Sequence, residues 1–109
     1  MLLADLAWPD IAERARAGAI LAVPVGSTEQ HGAHLPVSTD TDIAVALCAA
    51  LALARPEVLV APAVPYGSSG EHAGFAGTLS VGQAATELVL LELGRSACET
   101  FGHVLFVSA

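Results

Sequence analysis

The sequence predicts an α/β fold, a parallel sheet with helices on both faces. Short, near-continuous apolar runs at 19–25, 57–65 and 103–109 read as buried strands, because a strand covered on both sides has no polar face. Longer helical segments alternate with them in the order α-β-α-β-α-β. Glycine and proline mark the joints.

Each element has its own signal. Pro9 suits a first helical position, Ile11, Ala12, Ala15 and Ala19 recur at helical spacing, and Gly18 supplies a stop. "AILAVPV", 19 to 25, is the first strand, and Gly26, Gly32 and Pro36 then break residues 26 to 40 into a loop. "DIAVALCAALALA", 42 to 54, is a helix ended by Pro56. "EVLVAPAVP", 57 to 65, is a second strand that runs out at its two prolines. "YGSSGEHAGFAGTL", 66 to 79, carries four glycines and reads as a long functional loop. Ser80 followed by Gln83 is a capping-box pattern, opening a helix that runs to about Phe101. Gly102 stops it, and "HVLFVSA" is a third buried strand. Active sites of open α/β sheets gather at the carboxyl ends of strands, and the loop that should follow this strand is absent. The expectation is that 1–109 is the N-terminal part of a single domain whose C-terminal part is missing.

Composition narrows the function. The 109 residues suffice for one small core, and 54% hydrophobic against 14% charged content excludes disorder. Four arginines against eleven acidic side chains give a formal charge of -7, which disfavours nucleic acid and anionic membranes as partners. Cys48 and Cys98 lack any metal or redox spacing and read as buried thiols of a reduced protein. The N-terminus has no signal-peptide pattern, and the apolar stretch Ile43 to Ala54 is shorter than the roughly 20 residues a bilayer span needs. A soluble, cytoplasmic protein is expected.

One stretch stands out against this charge-poor background. "PVGSTEQHGAHLPVSTDTDIA", 24 to 44, holds Glu29, His31, His34, Asp40 and Asp42 with no basic partner. Glu29 and His31 are two apart, so an extended backbone turns both side chains the same way, and Gly32 then lets the chain return towards Asp40. Carboxylates crowded without a counter-charge repel one another, and a divalent cation relieves that repulsion. Mixed Glu/His/Asp ligation suits zinc, manganese or ferrous iron. Spacing alone leaves a bland reading equally open: Asp40 or Asp42 as a helix N-cap, Glu29 and His31 on a solvated loop. His34 reads as a residue near the pocket rather than a ligand, and His103 as a structural histidine.

The wording of the stretch adds a resemblance. "VPVGSTEQHGAHLPVSTDT" is similar to the signature of the creatininase family of metal-dependent amidohydrolases, and "YGSSGEHAGFAGTLS" resembles that family's glycine-rich segment. Ala33 and Ala76 stand where the family commonly has proline, and neither change removes a ligand. The resemblance covers residues 20 to 109 and implies a site of two divalent metals, zinc, iron or manganese. Carried over by position, it makes Glu29 a ligand of one metal, His31 a ligand of the other, and Asp40 the bridge. The remaining ligands would come from a loop after a strand like "HVLFVSA", so this chain would hold half of the site.

Two metals of this kind suit cleavage of an amide C–N bond. The family offers creatinine, a formylaminopyrimidine and a modified precursor peptide as substrates. "YGSSGEHAGFAG" and "ELGRSACETFG" look most like its mycofactocin-system peptidases, which release a C-terminal dipeptide. Glu71 and His72 are expected to line the pocket without ligating metal. A homo-oligomer is implied for the intact enzyme. The 109-residue chain by itself is expected neither to hydrolyse an amide nor to hold two metals, and a non-catalytic remnant is the reading from a different class.

Overall fold

A computed structural model describes all residues from Met1 to Ala109. A short 3₁₀ turn, Leu3–Asp5, precedes helix α1, Trp8–Arg16. Then follow β1 (Ile20–Val25), α2 (Thr39–Ala54), β2 (Val58–Val60), α3 (Gln83–Ala97) and β3 (His103–Ser108). The three strands form one parallel sheet in the order β2-β1-β3, with Ile20 opposite both Val58 and His103. The alternation along β1 sorts its side chains onto two faces. Leu21 and Val23 pack with Leu59 and Phe101, against Ile11 and Ala15 of α1 and Ala97 of α3. On the other face, Ala22, Val58 and Val60 pack against Cys48, Leu51 and Ala52 of α2. The predicted fold class is the one observed.

Several boundaries differ from the sequence reading, each for a local reason. Helix α2 starts at Thr39, three residues before the expected start, which places Asp40 and Asp42 together in its first turn where the helix dipole favours acid. Strand β2 has only three residues, because the segment holding Pro62 and Pro65 cannot continue the ladder. Pro24 is tolerated in the central strand for a related reason. Its carbonyl accepts from Val64 N–H, so its missing N–H lies on the side where β2 has already stopped.

The capping box does not form. Gly82 is the N-cap of α3, and Ser80 instead accepts the Ser69 amide at 2.9 Å and donates to the Gly67 carbonyl. That hydroxyl ties down the glycine-rich loop. The helix itself ends at Ala97, four residues before Phe101. The expectation of a buried third strand also fails: β3 pairs with β1 over six residues, yet none of its residues is buried. Of the two cysteines, Cys48 is buried and its thiol pKa is raised by that burial, whereas Cys98 is exposed. No helix is long and apolar enough to cross a membrane.

Candidate metal centre

The cluster forms beyond the carboxyl end of β1, where the chain leaves the sheet at Gly26. A Cβ at Gly26 would lie 2.2 Å from Thr41 Oγ1 and 2.4 Å from Thr41 Cα, both impossible contacts. The bare backbone therefore lets the first turn of α2 sit directly against the end of β1. Thr41 Oγ1 donates to the Ser27 carbonyl at 3.1 Å and fixes that approach. Asp40, one residue earlier, is thereby carried to the loop that holds Glu29 and His31. Ligand atoms of Glu29, His31 and Asp40 lie within 4.8 Å of one another.

The hydrogen bonds leave this cluster short of positive charge. Ser27 is buried, and its hydroxyl lies 2.7 Å from Glu29 Oε1 and 2.5 Å from Asp40 Oδ2. One hydroxyl proton cannot fully serve two carboxylates. Glu29 Oε2 is buried and has no hydrogen bond at all. An orphaned carboxylate oxygen of this kind is costly unless a cation meets it.

His31 is oriented as a ligand would be. Its Nδ1–H donates to the Glu29 carbonyl at 3.1 Å, which leaves Nε2 as the nitrogen directed at Asp40. Nε2 faces Asp40 Oδ1 at 2.9 Å, with about a quarter of each side chain exposed. The pair is hydrogen-bonded while Nε2 carries a proton; without that proton an imidazole nitrogen and a carboxylate oxygen stand side by side, a donor pair that suits a divalent metal. The Glu29 carbonyl raises the His31 pKa above its ordinary value; partial burial opposes it and the Asp40 carboxylate reinforces it. Burial works to raise the Asp40 pKa, but hydrogen bonds with Glu29 and Ser27 and the charge of His31 outweigh it and hold the carboxyl below its ordinary range.

The glycine-rich loop closes over the cluster from the other side. Thr28 and Leu79 form an antiparallel bridge, Gln30 N–H donates to Thr78 Oγ1 at 3.3 Å, and Thr28 Oγ1 donates to the Pro65 carbonyl at 2.8 Å. Within the loop, Gly70–His72 forms one 3₁₀ turn that presents His72 to the site. His72 Nε2 stands 3.0 Å from Glu29 Oε2, while Glu71 is largely exposed, its Oε1 3.8 Å from the same nitrogen. Glu29, Glu71 and His72 thus make a second group of convergent ligand atoms.

The other acidic and imidazole residues stay apart. Asp42 accepts from Ser38 Oγ at 2.7 Å on the exposed side of α2. His34 is exposed and belongs to neither ligand group, and His103 is exposed on β3. A cleft beside Glu29 and Asp40 is lined by Gly67, Ser68, Thr86 and Ser108. Thr86 and Ser108 had no sequence signal, because only the packing of α3 and β3 brings them there. The largest hollow lies elsewhere, between α3 and β3 around Leu90, Leu91 and Phe106, away from the cluster.

A sheet of this topology, with carboxylates and imidazoles converging beyond β1, defines an α/β protein with a candidate metal centre. The chain belongs to the creatininase family: the family model described as creatinine amidohydrolase matches residues 4–109. It is 54% identical over 91 residues to the mycofactocin precursor peptide peptidase of Mycolicibacterium smegmatis, covering 79% of this chain and 37% of that protein. It is 34% identical over 105 residues to the creatinine amidohydrolase of Pseudomonas putida, covering 87% of this chain and 40% of that protein. Among solved structures, a manganese creatininase superposes with a TM-score of 0.89 at 27% identity, covering 96% of this chain and 43% of that one. A Zn–Zn form of a mutant creatininase gives 0.86 at 27% identity, covering 96% and 43%. The chain therefore spans well under half the length of the relatives it matches.

Proposed function

We propose that this chain carries part of the active centre of a metal-dependent hydrolase that cleaves an amide or peptide C–N bond. The mycofactocin precursor peptide is the substrate this reading favours. The carrying observation is the convergence of Glu29, His31 and Asp40 around a carboxylate oxygen, Glu29 Oε2, that receives no hydrogen bond, with imidazoles but no lysine or arginine beside it. Identity to the Mycolicibacterium peptidase, 54% against 34% for the creatinine enzyme, favours the peptide over the small cyclic amide. The product of that reaction would be the C-terminal dipeptide.

Glu29, His31 and Asp40 are the residues that would hold the metal, zinc, iron or manganese, two per complete site. Such ions supply polarisation of the scissile carbonyl and acidification of the attacking water. The chain's own groups do the rest. Ser27 holds the Glu29 and Asp40 carboxylates in one orientation. The Glu29 carbonyl accepts from His31 Nδ1–H and so keeps Nε2 directed at Asp40. Glu71, exposed at the lip of the site, is placed to meet a polar end of the substrate. A homo-oligomeric assembly belongs to the same reading.

The test loads the complete protein and, separately, the 109-residue chain with Zn2+ or Fe2+ and offers each, in parallel, a peptide ending in the precursor's C-terminal dipeptide and creatinine. Release of the dipeptide supports the peptidase reading. Turnover of creatinine alone would assign the protein to the other branch, and metal binding without either turnover in the complete protein would leave a non-catalytic remnant.

A further inference from the structure

We propose that the outer face of α2 is a self-association surface, on which a second copy of this chain docks with its own α2 antiparallel. The inference rests on the homo-oligomeric part of the reading above and gives it a surface and a geometry.

Helix α2 is apolar on the side away from the sheet as well as on the side against it. From Ile43 to Ala54 it carries no charged side chain. Ala44 and Cys48 are buried, and Leu51 and Ala52 pack on the sheet. Away from them Ile43, Leu47 and Leu53 are 46%, 49% and 87% exposed, and Ala46 and Ala50 are exposed between them. A helix that is apolar all round belongs in a covered environment. A continuous exposed face of this kind marks an interaction site, unlike apolar residues scattered singly.

The order of residues on that face selects the occupant. Ile43, Ala46, Ala50 and Leu53 are spaced three, four and three apart, the repeat by which one helix packs along another. The set is also symmetric about position 48, reading large, small, small, large. A two-fold interface requires that residue i meet j while j meets i. Two antiparallel copies of α2 crossing at the level of Cys48 satisfy that condition. Ile43 then lies against Leu53 of the second copy, and Ala46 against its Ala50. The alanine layers let the helix axes approach to about 8 Å, and the larger side chains close each end.

Charge fits the same orientation. Asp42 stands in the first turn of α2 and meets only Ser38, while Arg55 follows the last turn with a side chain 62% exposed. Antiparallel docking brings the Asp42 end of each helix to the Arg55 end of the other, twice per dimer. A parallel pair would set acid against acid. A lipid surface fits poorly, because helices that lie on membranes carry lysine and arginine along a polar face, and α2 has none between Ile43 and Ala54.

The test is disulfide formation across the docked helices in the complete protein, with Cys98→Ser removing an exposed native thiol. Ala46→Cys and Ala50→Cys variants are oxidised separately, and together after mixing under reducing conditions that let subunits exchange. Facing Cα atoms in so close a pair fall within the roughly 4.4–6.8 Å that a disulfide spans. Expected is a covalent dimer that forms readily in the mixture and far more slowly in either variant alone. Sedimentation probes the same contact without new thiols. Leu53→Glu, at a position too exposed for folding to need its leucine, should weaken association by on the order of tenfold or more and leave zinc binding intact. An associating protein that gives no link specific to the mixture would overturn the inference and leave the homo-oligomeric reading standing. A complete protein that sediments as a monomer would overturn both.

Discussion

Strand β1 has two neighbours of similar composition and opposite fate. Val58, Leu59 and Val60 of β2 are 2%, 1% and 4% exposed, while β3 has no buried residue although its ladder to β1 is twice as long. The cover explains the difference. Helix α2 and the N-terminal segment enclose the β2 side, whereas Leu105 and Phe106 of β3 and Leu88, Leu91 and Leu93 of α3 face outward. Hydrogen-bond pairing and burial are separate contributions, and an apolar run guarantees only the first. The candidate metal centre is built from the enclosed half, β1 and α2, with one loop reaching across to it.

The comparison can be broken at four points. The largest effect is expected at Gly26, where the enclosed half depends on backbone contact with Thr41. Gly26→Ala should cost about 4 kcal/mol or more in denaturant unfolding, because overpacking here meets backbone that cannot yield. A near-normal unfolding midpoint would show that α2 can shift without loss.

Next comes the contrast between the two neighbours of β1. Leu59→Ala, in the core, should lose about 2–5 kcal/mol through its cavity. Leu91→Ala, half-exposed on α3, should change stability by no more than about 0.5 kcal/mol. It should instead reduce binding of a hydrophobic dye, since it removes part of an exposed apolar patch. Equal destabilisation by the two would mean that α3 is covered in solution.

A smaller effect is expected from pH. The His31 pKa is raised, so its contribution to metal-free stability is complete below the ordinary value of 6.5 and is lost as pH rises through the raised value. The Asp40 pKa is lowered, so its contribution is complete above 3.8 and is lost as pH falls through the lowered value. Metal-free protein should therefore gain most from this pair between those two pH values. Metal affinity should run the other way at the upper edge and rise as His31 loses its proton. His31→Gln should flatten both trends in melting and titration experiments; unchanged profiles would place the titrating group elsewhere. The smallest effect belongs to Arg55, whose pairing with Glu57 is exposed, and Arg55→Ala should leave the melting temperature unchanged.

Much of the fold was legible because its signals are local. Pro9 and Gly18 bracket α1, and the apolar run of β1 ends at the Gly26 turn. The proximity of Glu29 and His31 follows from their spacing beyond one strand. Contributions from distant residues had no such signal. His72 reaches Glu29 only because residues 66–80 fold back along Thr28 and Gln30, and nothing in the spacing of 29 and 72 announces it. Ser80 matches a capping pattern, but its hydroxyl was recruited by Ser69 and Gly67. The exposure of β3 was illegible for the same reason, since periodicity cannot report what lies over a strand.

The central claim is that the carboxylates beside β1 are held for a metal. Asp40 and Asp42 share one helical turn, yet Asp40 meets His31 and Ser27 whereas Asp42 meets only Ser38. Zinc titrated calorimetrically into chelator-stripped protein, with elemental analysis of the dialysed product, separates them. Asp40→Asn should weaken zinc binding by on the order of tenfold or more and lower the retained metal, while Asp42→Asn should stay within about twofold of the parent. Equal metal content and affinity in the two variants would contradict the account.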